Sequence, residues 1–222
     1  MSTNGRSKTG AKPRPVREGD DTTTAAKVID AAVQCILDEG FYRASSNQIA
    51  RRAGVTWGVI QYHFGTREGL LLAVFRHSAD ALLAHLENAA ITGDSTHERL
   101  ESLADVIWSY YRRPEFLAYM QILLNLTHDP TTAEDTVSTL GVLNQHIFGL
   151  WQTLINDALP EHNRTPETAR VLFDVLRGLA IGQELTDALP RFGPAAKEDP
   201  DPARATLIQA LTTLMDATPA AP

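Results

Sequence analysis

ASSNQIARRAGVTWGVIQYHFGTREGLLL, residues 44–72, decides the fold. Two short helical patterns meet at Ala53-Gly54-Val55, and a third helix signal starts at Thr66. The first pattern keeps Ile49 and Ala50 on its inner face. The second turns Val55 and Ile60 inward and leaves Trp57, Val59, Gln61 and Tyr62 to point out. Gly54 suits the tight turn, because glycine takes a left-handed backbone without a Cβ clash. Short polar residues suited to helix N-caps stand where they are needed: Ser45, Thr56 and Thr66. This is the pattern of a helix-turn-helix whose second helix can enter a DNA major groove.

Outward from that segment, helical spacing continues in both directions. Upstream, Ile29, Ala32, Val33, Ile36 and Leu37 predict a helix over about Thr24 to Glu39, stopped by Gly40. Downstream, a helix from Thr66 to about Ala90 is broken by Gly93-Asp94. Further helices are expected over about Thr96–Tyr111, Pro114–Leu126, Thr132–Leu159 and Thr165–Leu189. PRFGPAAKEDPD reads as a loop, and Pro202 opens a last helix with a stripe of Leu207, Ile208, Leu211, Leu214 and Met215. No strand pattern and no repeat is visible. The predicted fold is all-α: an N-terminal three-helix helix-turn-helix DNA-binding domain joined to a larger C-terminal helical bundle for ligand binding and dimerisation. The expected divisions are a disordered basic arm at 1–21, the DNA-binding domain at 22–67 and the bundle at 68–222.

The 222 residues are 43% hydrophobic and 21% charged, a globular composition. No apolar run approaches the roughly 20 residues of a membrane helix. The first residues lack an apolar core segment, so no secretory signal is expected, and the cytoplasm is the expected location. Cys35 is the one cysteine, which excludes an internal disulfide and a thiolate zinc cluster. The net charge of −7 argues against nucleic acid until its distribution is read. Residues 1–67 hold ten Lys/Arg and six Asp/Glu, whereas residues 68–222 hold ten and twenty-one. Phosphate attraction depends on the local basic face, and the basic end coincides with the helix-turn-helix. Arg6, Lys8, Lys12, Arg14 and Arg17 suit either a solubilising tail or an arm reaching DNA backbone or minor groove.

The stretch IARRAGVTWGVIQYHFGTREGLL resembles the DNA-binding segment of the TetR (tetracycline repressor) family of bacterial transcriptional regulators. Ile49, Ala50, Ala53, Gly54, Val55, Gly58, His63, Phe64, Glu68 and Leu70 match that family's wording directly. Thr56, Ile60, Thr66 and Arg67 are close replacements. Gln61 and Trp57 depart from it, standing where tyrosine and a lysine or small polar residue are common. The resemblance covers about residues 24–72 and implies a homodimer on a palindromic double-stranded DNA operator. It also implies a small-molecule effector that moves the fourth helix and changes the spacing of the two readers.

Expected DNA-binding residues follow from the helix that would lie in the groove. Gly58 lets backbone approach the duplex, and Gln61 can bond base edges, adenine in particular. Trp57 suits a thymine methyl or the sugar-phosphate wall, beside Val59. Thr56, Tyr62 and His63 suit phosphates, as do Ser45 and Ser46 at a helix start and Arg67 before the fourth helix. A ligand pocket is expected from Trp108, Tyr111, Tyr119, Gln121, Asn125, Gln145, Phe148, Trp151, Phe173 and Arg177, since a few polar groups in an apolar cavity are the usual ligand-site pattern. Its aromatic content points to an apolar or amphipathic molecule. Gly178 and Gly182, with Leu207, Leu211 and Leu214, are the expected dimer seam. No cofactor, metal or membrane partner is expected. No nucleophile elbow, P-loop, dinucleotide fingerprint or HExxH is present, so the chain does not read as an enzyme. The reading is a repressor released from its operator by a small, largely apolar molecule. The alternative is a DNA-binding protein governed by a protein partner, or an activator, without such an inducer.

Overall fold

A computed structural model describes residues 18–188 and 202–217. The expected basic arm up to Arg17, and the expected loop at 190–201, lie outside the described residues. Regular structure among the described residues is helical throughout. Three helices form the N-terminal unit: α1 (Glu18–Glu39), α2 (Ser46–Ala53) and α3 (Trp57–Phe64). The long α4 (Arg67–Glu87) leads into α5 (Thr96–Tyr111), α6 (Pro114–His128) and α7 (Glu134–Ala158). A single 3₁₀ turn, Glu161–Asn163, precedes α8 (Pro166–Ala188), and α9 is Pro202–Ala217. The all-helical expectation holds. Helix α1 begins earlier than its apolar stripe implies, in a run of Glu and Asp whose charge favours a helix N-terminus.

Local chemistry explains how the reader is bent. Ser45 caps α2 through a capping box. Its hydroxyl accepts from Gln48 N–H at 3.3 Å, and Gln48 Oε1 accepts from Ser45 N–H at 3.1 Å. Gly54 ends the helix at φ 69°, the left-handed conformation expected of it. Thr66 caps α4 by accepting from Gly69 N–H at 3.0 Å. Thr56 departs from expectation. It holds the N-cap position of α3 in extended backbone but makes no side-chain capping bond. The corner between α3 and α4 is tight for a different reason: a Cβ on Gly69 would stand 2.2 Å from the Phe64 carbonyl oxygen.

Ile49, Ala50 and Ile60 share one buried core with Val28, Ala32 and Ile36 of α1 and Leu70 and Val74 of α4. Cys35 is buried in the same core and behaves as a small apolar side chain. Helix α4 then runs into the larger bundle, packing on α6 and α7, while α5 packs on α7, α8 and α9. One core thus runs from the N-terminal unit into the bundle, and the reader is held both through α4 and where α1 packs on α6.

Candidate nucleic-acid interface

The α2–α3 unit divides cleanly into an inner and an outer face. Ile49, Ala50 and Ile60 are inside, while Trp57, Gly58, Gln61 and Tyr62 stand on the outer surface of α3. Tyr62 is 73% exposed and Trp57 37%, large apolar surface that a solitary domain gains nothing by showing to water. Val59 is half-buried rather than fully outward. His63 is half-buried too, between the rings of Tyr62 (5.1 Å) and Phe64 (5.9 Å). A Cβ on Gly58 would meet Thr56 Oγ1 alone, at an ordinary 3.7 Å. Packing inside the chain therefore does not call for glycine at this position.

The residues expected at phosphates are placed unequally. Thr56 and Ser45 are exposed and Ser46 is half-buried, at the starts of α3 and α2. The Ser45 hydroxyl also donates to Gln48 Oε1 at 2.9 Å, so its role in the capping box is filled. Arg67 differs from expectation: it turns inward, donating to the Phe41 carbonyl at 3.2 Å with its guanidinium 5.1 Å from the Phe41 ring. Burial pulls its pKa below the usual arginine value. The carbonyl and aromatic face of Phe41, brought over from the α1–α2 turn, are its partners there. Arg52 pairs with Asp38 of α1 at 2.7 Å and is surface scaffolding rather than part of the outer face. Sequence reasoning passed over Tyr42, 85% exposed, and the exposed Arg43, both immediately before α2. Their only signal in the sequence is a pair of aromatics, Phe41-Tyr42, of which one must face outward.

The expected pocket residues are not gathered in one place. Tyr111, Trp151 and Phe173 do meet, with Tyr110 and Phe116, in one buried aromatic cluster. Its ring separations run from 4.6 Å (Tyr111–Phe116) to 6.3 Å (Tyr111–Trp151), and Arg177 lies 4.9 Å over Phe173. Burial raises the Tyr110 and Tyr111 phenols far above their usual pKa, so both stay neutral. Tyr119 belongs elsewhere, stacked on Phe75 and donating to Asn144 Oδ1 at 2.9 Å. Gln121 bonds the α1–α2 turn, Asn125 donates to the Gln121 carbonyl within α6, and Gln145 and Phe148 lie on the exposed surface of α7.

A groove of about 910 Å³ opens between the C-terminal half of α4, α5 and α9, and Trp108 lines it. Trp108 Nε1 donates to Gln183 at 2.7 Å, and Arg204 covers its ring at 5.3 Å. The groove's arginines face carboxylates: Arg112 meets Glu184 at 3.1 Å, and Arg204 meets Glu101 and Asp105 at 3.1 and 2.6 Å. Among the described residues, no group of three or more His, Cys, Asp or Glu could hold a metal ion, and no helix is long and apolar enough to cross a membrane.

Gly178 and Gly182 are exposed on α8, with Val171, Val175 and Leu185 continuing the same apolar stripe. Leu214 is exposed on α9, and Leu207 is half-buried. Leu211 differs from expectation: it is buried with Ile208, Thr212 and Met215 on the face of α9 that packs into the chain's own core.

Residues 28–74 match the model of the family described as bacterial regulatory proteins, tetR family. The HTH-type transcriptional regulator BetI of Escherichia coli O17:K52:H18 is 37% identical over 83 residues, 36% of this chain and 42% of that protein. BetI of Serratia proteamaculans is 37% identical over 79 residues, 36% of this chain and 35% of that protein. The chain thus spans under half the length of these curated relatives. Two solved structures resemble nearly the whole fold. A transcriptional regulator from Rhodococcus sp. Rha1 has a TM-score of 0.61 at 20% identity, covering 88% of this chain and 99% of its own. The multidrug binding protein EbrR, complexed with imidazole, has a TM-score of 0.55 at 22% identity, covering 88% and 96%. At these identities the likeness establishes the architecture.

Proposed function

We propose, from the match of residues 28–74 to the tetR family of bacterial regulatory proteins, that the chain is a sequence-specific DNA-binding transcriptional regulator of the cytoplasm, a repressor that leaves its operator when a small, largely apolar molecule binds. The observation that carries the proposal is the outer face of α3. Trp57, Gly58, Gln61 and Tyr62 stand exposed over a reader core that is fully closed behind them. A short helix with bare backbone at Gly58 and a bidentate-capable amide at Gln61 suits a major groove. Tyr42, Arg43 and Thr56 at the starts of α2 and α3 suit the flanking phosphates, together with the free N–H groups of those helix ends.

Two readers are needed for a specific interface, so the working form is a homodimer on a palindromic operator. The stripe Val171, Val175, Gly178, Gly182 and Leu185 on α8, with Leu214 on α9, supports a seam of two helices from each subunit. The cluster of Tyr111, Trp151 and Phe173, with Trp108 on the adjoining groove, supports an aromatic-lined effector site. Among the structures that share its fold, EbrR is described as a multidrug binding protein. The effector must favour the arrangement in which the readers no longer match the half-sites.

The test uses duplexes that the protein selects from random DNA. Gly58→Ala is expected to leave folding stability unchanged, or to raise it by up to about 1 kcal/mol, because alanine favours a helix over glycine and the cavity-free side is open. The same substitution is expected to weaken binding to the selected duplex, since the added methyl stands between backbone and bases. A variant that melts later yet binds equally well would remove α3 from the groove. Gln61→Ala is expected to lose about 1–3 kcal/mol on the selected duplex and much less on random DNA. Equal losses on both, measured by fluorescence anisotropy, would make Gln61 a positioning group rather than a base reader.

A further inference from the structure

Phe41 closes the turn between α1 and α2, and its peptide is held from two directions. The N–H donates to Oε1 of Gln121 on α6 at 3.0 Å, across 80 residues of sequence. The carbonyl accepts from Arg67, the first residue of α4. A second tie lies at the far side of α4. The N-cap of α7 is Ala133, whose methyl group cannot accept a hydrogen bond. Glu68, in the first turn of α4, bonds the same helix end from outside. Its Oε1 takes the Ala133 N–H at 3.2 Å and the Thr136 hydroxyl at 2.5 Å. The carboxylate therefore lies at the positive ends of two helices at once, its own and α7.

We infer that Gln121 and Glu68 are positioning residues that latch the reader to the bundle at two points. Helix α6 holds the α1–α2 turn through the Phe41 N–H, and α7 holds the first turn of α4 through Glu68. The consequence for DNA rests on the regulatory reading above; the latch itself does not. Each tie is one or two hydrogen bonds, which shifts a local opening equilibrium by about tenfold. That is enough to define one orientation of the reader. It is also within reach of a ligand that prefers α6 or α7 displaced. Residues separated by 65 to 80 positions thus give the bundle a polar grip on the reader, besides the shared helix α4 and the packing of α1 on α6.

Spin labels at Asn47→Cys on α2 and Ser138→Cys on α7, both exposed positions, read the orientation directly. The intact protein, diluted with unlabelled chain, is expected to give one narrow distance distribution. Gln121→Leu combined with Glu68→Ala is expected to broaden or displace it. Gln121→Glu, which keeps an acceptor oxygen, is expected to retain the narrow form. Exchange of the Phe41 amide should rise about tenfold in Gln121→Leu and stay unchanged in Gln121→Glu. A folded double variant with the original distribution and unchanged Phe41 exchange overturns the latch. If the double variant does not fold, Gln121→Leu alone decides by amide exchange, since Gln121 is only half-buried. These readouts need no DNA. A protein that selects no preferred duplex would sink the regulatory reading and leave the latch standing.

Discussion

Phe75→Ala is expected to lower folding stability by about 3–5 kcal/mol, the usual cost of emptying a buried aromatic site. Phe75 is fully buried in the middle of α4, and its ring stacks on Tyr119 of α6 at 4.6 Å with an interplanar angle of 20°. Tyr119 in turn donates to Asn144 on α7 at 2.9 Å. The two rings thus link three helices, and loss of Phe75 leaves a cavity between α4 and α6. The stacking geometry adds roughly 0.5–1.5 kcal/mol to what the buried area gives. Urea unfolding followed by circular dichroism measures the change. For a chain of this size the melting point should fall by roughly 6–20 °C. Tyr119→Phe is the control. It keeps the ring and removes the bond to the exposed Asn144, so a loss near 0.5–1.5 kcal/mol is expected. A loss under about 1 kcal/mol for Phe75→Ala would mean that the α4–α6 contact is not the centre of the bundle.

Val175→Asp should separate dimerisation from folding. Val175 lies 39% exposed in the α8 stripe between Val171 and Gly178. In a lone chain, a charge there meets water, and surface substitutions of this kind stay within about 0.5 kcal/mol. In a seam between two copies, the same carboxylate would be buried beside its symmetry mate without a partner, which costs several kcal/mol. The expected outcome is a folded helical monomer at micromolar concentration by analytical ultracentrifugation. Affinity for a selected palindromic duplex should fall by about 100-fold or more, because one of two readers is lost. A variant that remains dimeric would move the seam away from α8. The glycines on this stripe meet nothing within 4 Å where a Cβ would stand, so the space beside them is open for a second helix.

The reader was legible because its determinants are local. Ser45 and Thr66 cap the helices that follow them, and Gly54 takes the positive φ its turn demands. Each of these depends on neighbours within about four residues, which a linear reading sees. Helical spacing likewise separated Ile49 and Ile60 from Trp57, Gln61 and Tyr62, because one face of a short helix must close the core. Capping was misread at Thr56, where extended backbone is present but no hydroxyl bond forms. A threonine before a helix has the right chemistry; whether its hydroxyl turns to the helix end depends on the turn before it.

The bundle was legible as helices and not as surroundings. Gln121, Asn125 and Tyr119 all belong to α6, and spacing alone makes each a candidate for an inner cavity. Their partners are Phe41, Gln121 and Asn144, and two of those bonds cross to other helices or turns. The same holds for Arg67, whose partner is 26 residues earlier, and for Leu211, which shares a helix with the exposed Leu214. A period of 3.6 residues fixes angles around one helix axis; it carries no information about which neighbour lies at each angle. Capping, turn chemistry and apolar period therefore settled helices throughout the described residues, with a helix-turn-helix at their front. Packing between segments 65 to 80 residues apart settled which polar side chains grip the reader and which apolar stripe is left uncovered, because those contacts exist only once the helices have met.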